Sequence, residues 1–429
     1  MAQGMTLVEK IIARAAGRSS VRAGEIVTVD IDLAFAHDSS GPRRWAPMLE
    51  ELGVGLWDPD RVAIVSDHYV PAVDAESASI LKFTRDFAAA HGVKNFFDMV
   101  GICHLVLPEH GLIRPGAVIA GGDSHTPMAG AFGTYAAGYG ATDMAAIVAT
   151  GRTWLSVPKT IRIEWRGAFA DGVAAKDVML FLCRELGLDN AFKAVEYAGP
   201  TVEAMGIAER MVLCNMAAEL ACETGIVAPD GVTFDYLRAI GAPVEDEAAA
   251  LALASDADAR YAARHTFDAS ALEPQIAAPH SPDRTLPVSG HQGVKIDQAY
   301  IGACVGAKIE DLRMAARVLK GRKVAPGTRL LIAPASARTT TEASADGTLH
   351  TLTQAGAILL PSGCGACAGM GAGLLAEGET CISSTNRNFK GRMGAKSANV
   401  YLGSPYSVAA AAVAGHITDP RPMLEGVAP

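Results

Sequence analysis

The sequence is short of several things, and each shortage removes a class of protein. Aromatic residues make up 6% of its 429 residues and charged residues 19%, against 50% hydrophobic residues, so the core is aliphatic and Ala-rich. A disordered chain has the opposite balance, and 44 glycines without a three-residue period exclude collagen. Positive charge is in deficit: 37 Lys+Arg against 46 Asp+Glu give a formal net charge of -9, which argues against electrostatic nucleic-acid binding. No apolar run reaches the ~18–20 residues that a bilayer span requires, and SVAAAAVAG (407–415) is too short and too small. The opening MAQGMTLVEKIIARAAGR has no signal-peptide core and carries Glu9 within its apolar stretch. The expectation is a cytoplasmic protein with no membrane partner.

Cysteine is sparse as well. Eight residues, at 103, 183, 214, 222, 304, 364, 367 and 381, are too few for a disulfide framework in a chain this long. Cys183 and Cys222 sit in helix-like apolar contexts and read as small buried hydrophobes.

What is present is a β/α rhythm. TLVEKIIARAAG and ESASILKFTRDFAAAHG have helical spacing. EIVTVDIDLAFAHD, RVAIVSDHYVP and GAVIAGGDSHTP read as strands that end in polar groups: His37-Asp38, Asp67-His68 and Asp123-Ser124-His125. Alternating strands and helices argue α/β, and ligands collect beyond the carboxyl ends of such strands. A second unit begins near SVPKTIRIEWRG (156–167), and the Pro-rich, weakly periodic segment 271–292 reads as a linker. The rhythm then resumes with KIDQAYIGAC, IEDLRMAARVLKG and TRLLIAPAS. The division expected is three α/β domains: 1–157, 158–282 and 283–429, the last carrying the chemically placed cysteines.

Three constellations carry chemistry. Cys304 follows a strand, and Cys364 and Cys367 form a C-x-x-C among glycines, which allow close backbone approach. That pattern suits a redox dithiol, half a zinc site or iron–sulfur ligation; a dithiol needs no third thiol, and zinc needs a fourth ligand that spacing does not supply. The Asp-His strand ends, with His104 in GICHLVLPEHG, pair carboxylates with imidazoles as acid–base chemistry requires. Gly-Asp-Ser-His is no hydrolase triad, because adjacent residues on one turn cannot form the relay and the nucleophile elbow is missing. In STNRNFKGRMG (384–394), Arg387 and Arg392 lie five apart with Asn386 beside them, and guanidinium forks suit carboxylates. The pattern points to a small polycarboxylate substrate.

Taken together, DLAFAHDSSGP, VAIVSDHYVP, GICHLVLPEHG, GGDSHTPMAGAFGTYAAGYGATDMA, GVAAKDVML, CNMAAE, KIDQAYIGAC, CGAC, STNRNFKGRMG and YLGSPYSVAAAAVAGHITDPR resemble the aconitase superfamily. The likeness is greatest to large subunits of its isopropylmalate isomerase (3-isopropylmalate dehydratase) and homoaconitase branch, and it runs in family order over nearly the whole chain.

The resemblance implies three α/β domains around a shared cluster site, with the swivelling fourth domain absent. It implies a hydro-lyase acting on a small hydroxy di- or tricarboxylic acid, in the leucine-biosynthetic style of 3-isopropylmalate dehydratase. A [4Fe-4S] cluster would be held by Cys304, Cys364 and Cys367. Asp67 with His68 would protonate the departing hydroxyl, and His104, Asp123, His125 and Glu219 would form the supporting acid–base set. Ser124, Asn215, Asn386, Arg387 and Arg392 would bind substrate. The serine base of the family lies on the missing domain, so a separate small subunit is the implied partner in a heterodimer. Three departures bear on the substrate: Ala303-Cys304-Val305-Gly306-Ala307 replaces the usual Ser-Cys-Thr-Asn-Gly, Ala366 and Ala368 stand where Pro and Leu or Ile commonly accompany the C-x-x-C, and Leu105 stands where Gln is usual after His104. Relatives acting on dimethylmalate, methylmalate (citraconate) or maleate are therefore alternatives, and a thiol–disulfide protein using Cys364 and Cys367 is the alternative from another class.

Overall fold

In the computed structural model, residues 4–426 are described. The first helix, Leu7–Ala15, starts at Thr6, whose hydroxyl accepts from the Glu9 N–H while the Glu9 carboxylate accepts from the Thr6 N–H. The acidic residue inside the apolar stretch is thus half of a capping box. No helix among the described residues is long and apolar enough to cross a membrane.

The apolar run 25–38 divides into two strands in two different sheets. Ile26–Asp30 alternates exposed and buried side chains and pairs antiparallel with Arg152–Ser156. Leu33–His37 is buried on both faces, at the centre of a five-stranded sheet. Its spatial order is Asn95–Asp98, Val62–Ser66, Leu33–His37, Val118–Gly121, Tyr135–Gly138, and every pair is parallel. The switch from alternating to continuous hydrophobicity is what a half-exposed ribbon followed by a central parallel strand requires.

A second parallel sheet runs Thr224–Val227, Lys193–Ala198, Lys159–Arg166, Ala263–Asp268. The third has seven strands in the order Thr285–Pro287, Gln275–Ala277, Asn399–Leu402, Thr380–Ser383, Gln298–Ile301, Arg329–Ile332, Ile358–Leu359. Its last five strands pair in parallel. Its first two pair antiparallel and come from the segment read as a linker, which instead forms the edge of the third sheet. An edge tolerates the prolines that obscured the strands in sequence.

Two apolar cores result. One lies on a single face of the first sheet with the helix Leu7–Ala15, and the other is continuous across all three sheets, from Phe35 through Ile163 to Ile301. The first and third sheets also meet through backbone bonds: Ile102 N–H donates to Ala335 O at 2.9 Å, and Ala337 N–H to Val100 O at 2.8 Å. That shared seam sets the carboxyl ends of their strands face to face, where the site lies.

Candidate active site

Each element of the site leaves the carboxyl end of a parallel strand. Leu33–His37 delivers His37 and Asp38, and Val62–Ser66 delivers Asp67 and His68. Val118–Gly121 leads to Asp123, Ser124 and His125, Gln298–Ile301 to Cys304, and Thr380–Ser383 to Asn386 and Arg387. Cys103–Glu109, a short helix, adds His104.

The first acid–base pair is Asp67 with His68, Oδ1 to Nδ1 at 2.6 Å, with neither side chain appreciably exposed. Burial alone would favour a neutral imidazole, but the Asp67 charge outweighs it, helped by Asp38 and Asp123, and His68 is raised to about 9. Against the same burial, His68 holds the Asp67 carboxyl below its ordinary range, and the Cys103 N–H donates to Oδ2 at 2.7 Å. Asp38 is pushed up by burial and by the neighbouring Asp67 charge. Its two oxygens accept from the backbone N–H groups of His68 and Tyr69 at 3.0 and 2.9 Å, which fixes the turn.

The second set centres on Asp123. His104 Nε2 lies 2.8 Å from its Oδ1, and the His125 N–H donates to the same oxygen at 2.7 Å. His125 Nε2 then reaches Glu219 Oε1 at 3.1 Å, and Arg387 Nε donates to that oxygen at 2.7 Å. Burial disfavours charge on His125, yet Glu219 and Asp123 raise it to about 9. The Glu219 carboxyl is drawn below its usual range by His125 and Arg387, against burial. Its second oxygen, Oε2, is buried with no hydrogen-bond partner among the described residues.

The two sets touch. The His37 and His68 rings stack with centroids 3.7 Å apart, and His37 Nε2 stands 3.4 Å from Asp123 Oδ2. Sequence reading noted His37-Asp38 as a polar strand end but gave it no role; the structure makes it the bridge between the sets. The available signal was its match to the other two strand ends. Lys176 was overlooked for a different reason. Its stem is fully buried, its Nζ donates to Thr385 O at 2.6 Å, and burial lowers it to about 8 despite Glu219. Nothing in a helical stretch such as AAKDVML distinguishes that lysine from a surface one.

Cys304 and Cys367 converge on the Asn215–Asn386 pair, and Cys364 bonds Cys367. Asn215 Nδ2 donates to Cys304 Sγ at 3.1 Å, Asn386 Nδ2 donates to Asn215 Oδ1, and Asn386 Oδ1 stands 3.8 Å from Cys304 Sγ and 3.9 Å from Cys367 Sγ. Ala303 turns the chain with a left-handed φ of 68° just before Cys304. Gly306 allows the close approach of Ser384, whose Oγ would lie 2.2 Å from any Cβ there. Cys364 and Cys367 lie on a single 3-10 turn, Gly365–Ala368, and the Cys364 N–H donates to Asp67 O at 2.8 Å. Arg392 Nε donates to Cys367 O at 2.7 Å, while Arg387 Nη1 donates to Ser124 Oγ at 3.0 Å.

The donor set fits an iron–sulfur cluster. Burial raises Cys304 to about 12, whereas Cys367 is lowered by its hydrogen bond with Cys364, against burial and with help from Arg392. Among the described residues, the ligand groups whose atoms all lie within 4.8 Å of one another are His37/Asp38/Asp67/His68 and His104/Asp123/His125. The three thiols do not form such a group, a spread that suits several irons better than one ion. Cys304 is a third thiol beside the C-x-x-C, which a redox dithiol does not need.

Three thiols, acid–base pairs and two arginines thus follow the strand ends of an α/β protein. The chain belongs to the aconitase family: the profile of that family (aconitate hydratase) matches residues 9–294 and 289–415. It is 46% identical to the 3-isopropylmalate dehydratase large subunit 1 of Methanopyrus kandleri, over 98% of this chain and 100% of that protein. It is 44% identical to a probable methanogen homoaconitase large subunit of Methanothermobacter thermautotrophicus, over 97% and 98%. A large subunit 1 of 3-isopropylmalate dehydratase from Pyrococcus furiosus is 42% identical, over 98% and 100%. The family as a whole implies an iron–sulfur cluster.

Proposed function

We propose that this chain is the large subunit of a [4Fe-4S]-dependent hydro-lyase of the 3-isopropylmalate dehydratase type. Its substrate is a small hydroxy-dicarboxylate, and a separate small subunit completes the site. The observation that carries this reading is the bond from the Cys364 N–H to Asp67 O, which ties the cysteine loop to the strongest acid–base pair. The likeness to relatives named large subunits supports the partner, and the two parallel sheets with the mixed third sheet support three α/β domains near 1–157, 158–282 and 283–429, with Gln275–Ala277 pairing into the third sheet and drawing the last boundary before it.

Cys304, Cys364 and Cys367 would hold the cluster, which would supply Lewis-acid chemistry toward the substrate hydroxyl and a carboxylate. The remaining work belongs to side chains. Dehydration removes a hydroxyl from one carbon and a proton from its neighbour. His68, protonated at neutral pH and held by Asp67, donates a proton to the hydroxyl oxygen as its C–O bond breaks, so water leaves. The carbon-bound proton goes to a base on the small subunit. Arg387, its plane fixed by Glu219 and Ser124, and Arg392 hold substrate carboxylates; Asn386 and Asn215 orient the groups around Cys304. The Asp123–His104 and His125–Glu219 pairs keep charged partners in place while bonds change, without reorganisation.

The test is anaerobic reconstitution with iron and sulfide, followed by pairing with the small subunit and assay against 3-isopropylmalate, citraconate, dimethylmaleate and maleate. Hydration or dehydration of one of these, abolished by Cys304→Ser, is the expected result. A loaded pair that turns over none of them would sink the substrate class.

A further inference from the structure

Tyr300 is the last polar side chain on the strand that leads to Cys304, and it is fully buried. Its hydroxyl has no hydrogen-bond partner among the described residues. A buried phenol normally finds one, and leaving it unpaired costs the desolvation of the group. The direction of the hydroxyl is set by its neighbours. A Cβ placed on Gly365, between Cys364 and Cys367, would stand 3.6 Å from it, and one placed on Gly302 would stand 2.8 Å away. The oxygen therefore lies against the cysteine loop at Gly365.

A cavity of about 100 Å3 opens beside it, walled by Val70, Pro71, Leu360, Pro361 and Ala372 among others. Of the side chains that line this cavity, Tyr300 carries the only polar atom. An ordered water needs two to four polar partners and would find no second side chain here. Burial keeps the phenol protonated, with the Cys367 and Cys364 charges acting in the same direction, so the hydroxyl remains a donor. No sulfur among the described residues accepts from it in the metal-free chain, so a sulfur brought in with the cluster beside the Cys364–Cys367 loop is the acceptor left to it.

We propose that the Tyr300 hydroxyl donates a hydrogen bond to a sulfur of the cluster or of its Cys364–Cys367 loop, and that Tyr300 is thereby a positioning residue that sets the cluster's reduction potential. The inference rests on the assignment of Cys304, Cys364 and Cys367 as cluster ligands. Such a bond favours the reduced state, which carries one more negative charge, and so raises the potential. The side chain contacts no reacting atom, and its removal leaves the acid–base pairs as they are.

The experiment compares reconstituted wild type with Tyr300→Phe, which keeps the ring and its packing. Redox titration followed by EPR should show a lower midpoint in the variant, by about tenfold in the reduced-to-oxidised ratio, or roughly 59 mV for one electron. Proton ENDOR of the reduced wild-type cluster in H2O and D2O should show an exchangeable coupling that Tyr300→Phe lacks. An unchanged midpoint, or the absence of an exchangeable coupling in the wild type, overturns the proposal. So does a variant that unfolds with urea as the wild type does yet fails to load iron, which would make Tyr300 a scaffold residue. If wild type itself loads no cluster, or Cys304→Ser loads as well as wild type, the ligand assignment has failed before Tyr300 is tested.

Discussion

Asp67→Asn isolates the electrostatic device on which the proposed proton transfer depends. In the native site Asp67 Oδ1 lies 2.6 Å from His68 Nδ1, and His68 is raised from 6.5 to about 9. A rise of that size corresponds to about 3 kcal/mol in favour of the imidazolium, most of it opposing a burial that disfavours charge. Asn retains an acceptor for the Cys103 N–H but presents no charge to His68. The imidazole should then titrate at or below its ordinary value. At pH 8 the protonated fraction would fall from roughly 90% to about 3%, a loss of about thirtyfold in proton donation. The assay is the pH profile of kcat for the reconstituted two-subunit enzyme. Wild type should hold its activity up to about pH 9, whereas Asp67→Asn should lose it through neutrality and regain part of it below pH 6. An alkaline limb that stays at the same pH in the variant would refute His68 as the acid.

Other consequences follow from the same contacts. Stability of the metal-free chain should depend on pH through His125 and Glu219. The raised His125 contributes fully below 6.5 and loses its contribution as pH rises through about 9, while the lowered Glu219 contributes above 4.5 and loses it as pH falls. Tm should therefore be highest between these limits, and His125→Gln should flatten its alkaline decline; an unaltered slope would contradict the pairing. Arg210 is fully buried, gives two bonds of 2.7 Å to Asp230 and donates to the carbonyls of Glu203 and Met205. Arg210→Met should cost about 3 kcal/mol in urea unfolding, because a partly buried carboxylate and two carbonyls lose their donors. At Gly101, φ is 142° and a Cβ would come within 2.6 Å of Ser336 Cα. Gly101→Ala should open the seam between the first and third sheets, lowering stability by about 2 kcal/mol and cluster retention with it; a variant as stable as wild type would show that the seam is not rigid.

Much of this site was legible because its chemistry sits at strand ends that announce themselves. The runs before Asp67, Asp123 and Cys304 are continuous and apolar, as buried parallel strands must be, and the polar residues that follow can only lie at the carboxyl edge. In the structure Asp67 bonds His68, Asp123 bonds His104 and His125, Glu219 links His125 to Arg387, and Asn215 and Asn386 lie against Cys304. What stayed hidden depended on partners far away in the chain. Gln275–Ala277 and Thr285–Pro287 look irregular because Pro274, Pro279, Pro282 and Pro287 around and within them break periodicity, and only the edge of the third sheet makes them strands. Lys176 and Tyr300 lie in ordinary helix and strand patterns, so their meaning comes from Thr385 and from the cysteine loop. His37 needed the stacking of two strand ends before it could be placed between His68 and Asp123.

The account stands most directly on whether the three thiols hold a cluster with one iron left open to substrate. Mössbauer spectroscopy of 57Fe-reconstituted protein, paired with its small subunit and recorded with and without 3-isopropylmalate, measures this. One iron of the cluster should change its isomer shift and quadrupole splitting on addition of substrate, and Cys304→Ser, Cys364→Ser and Cys367→Ser should each lose the cluster. A fully loaded cluster whose irons are all indifferent to every hydroxy-dicarboxylate offered, or one that survives loss of any of these cysteines, would contradict it.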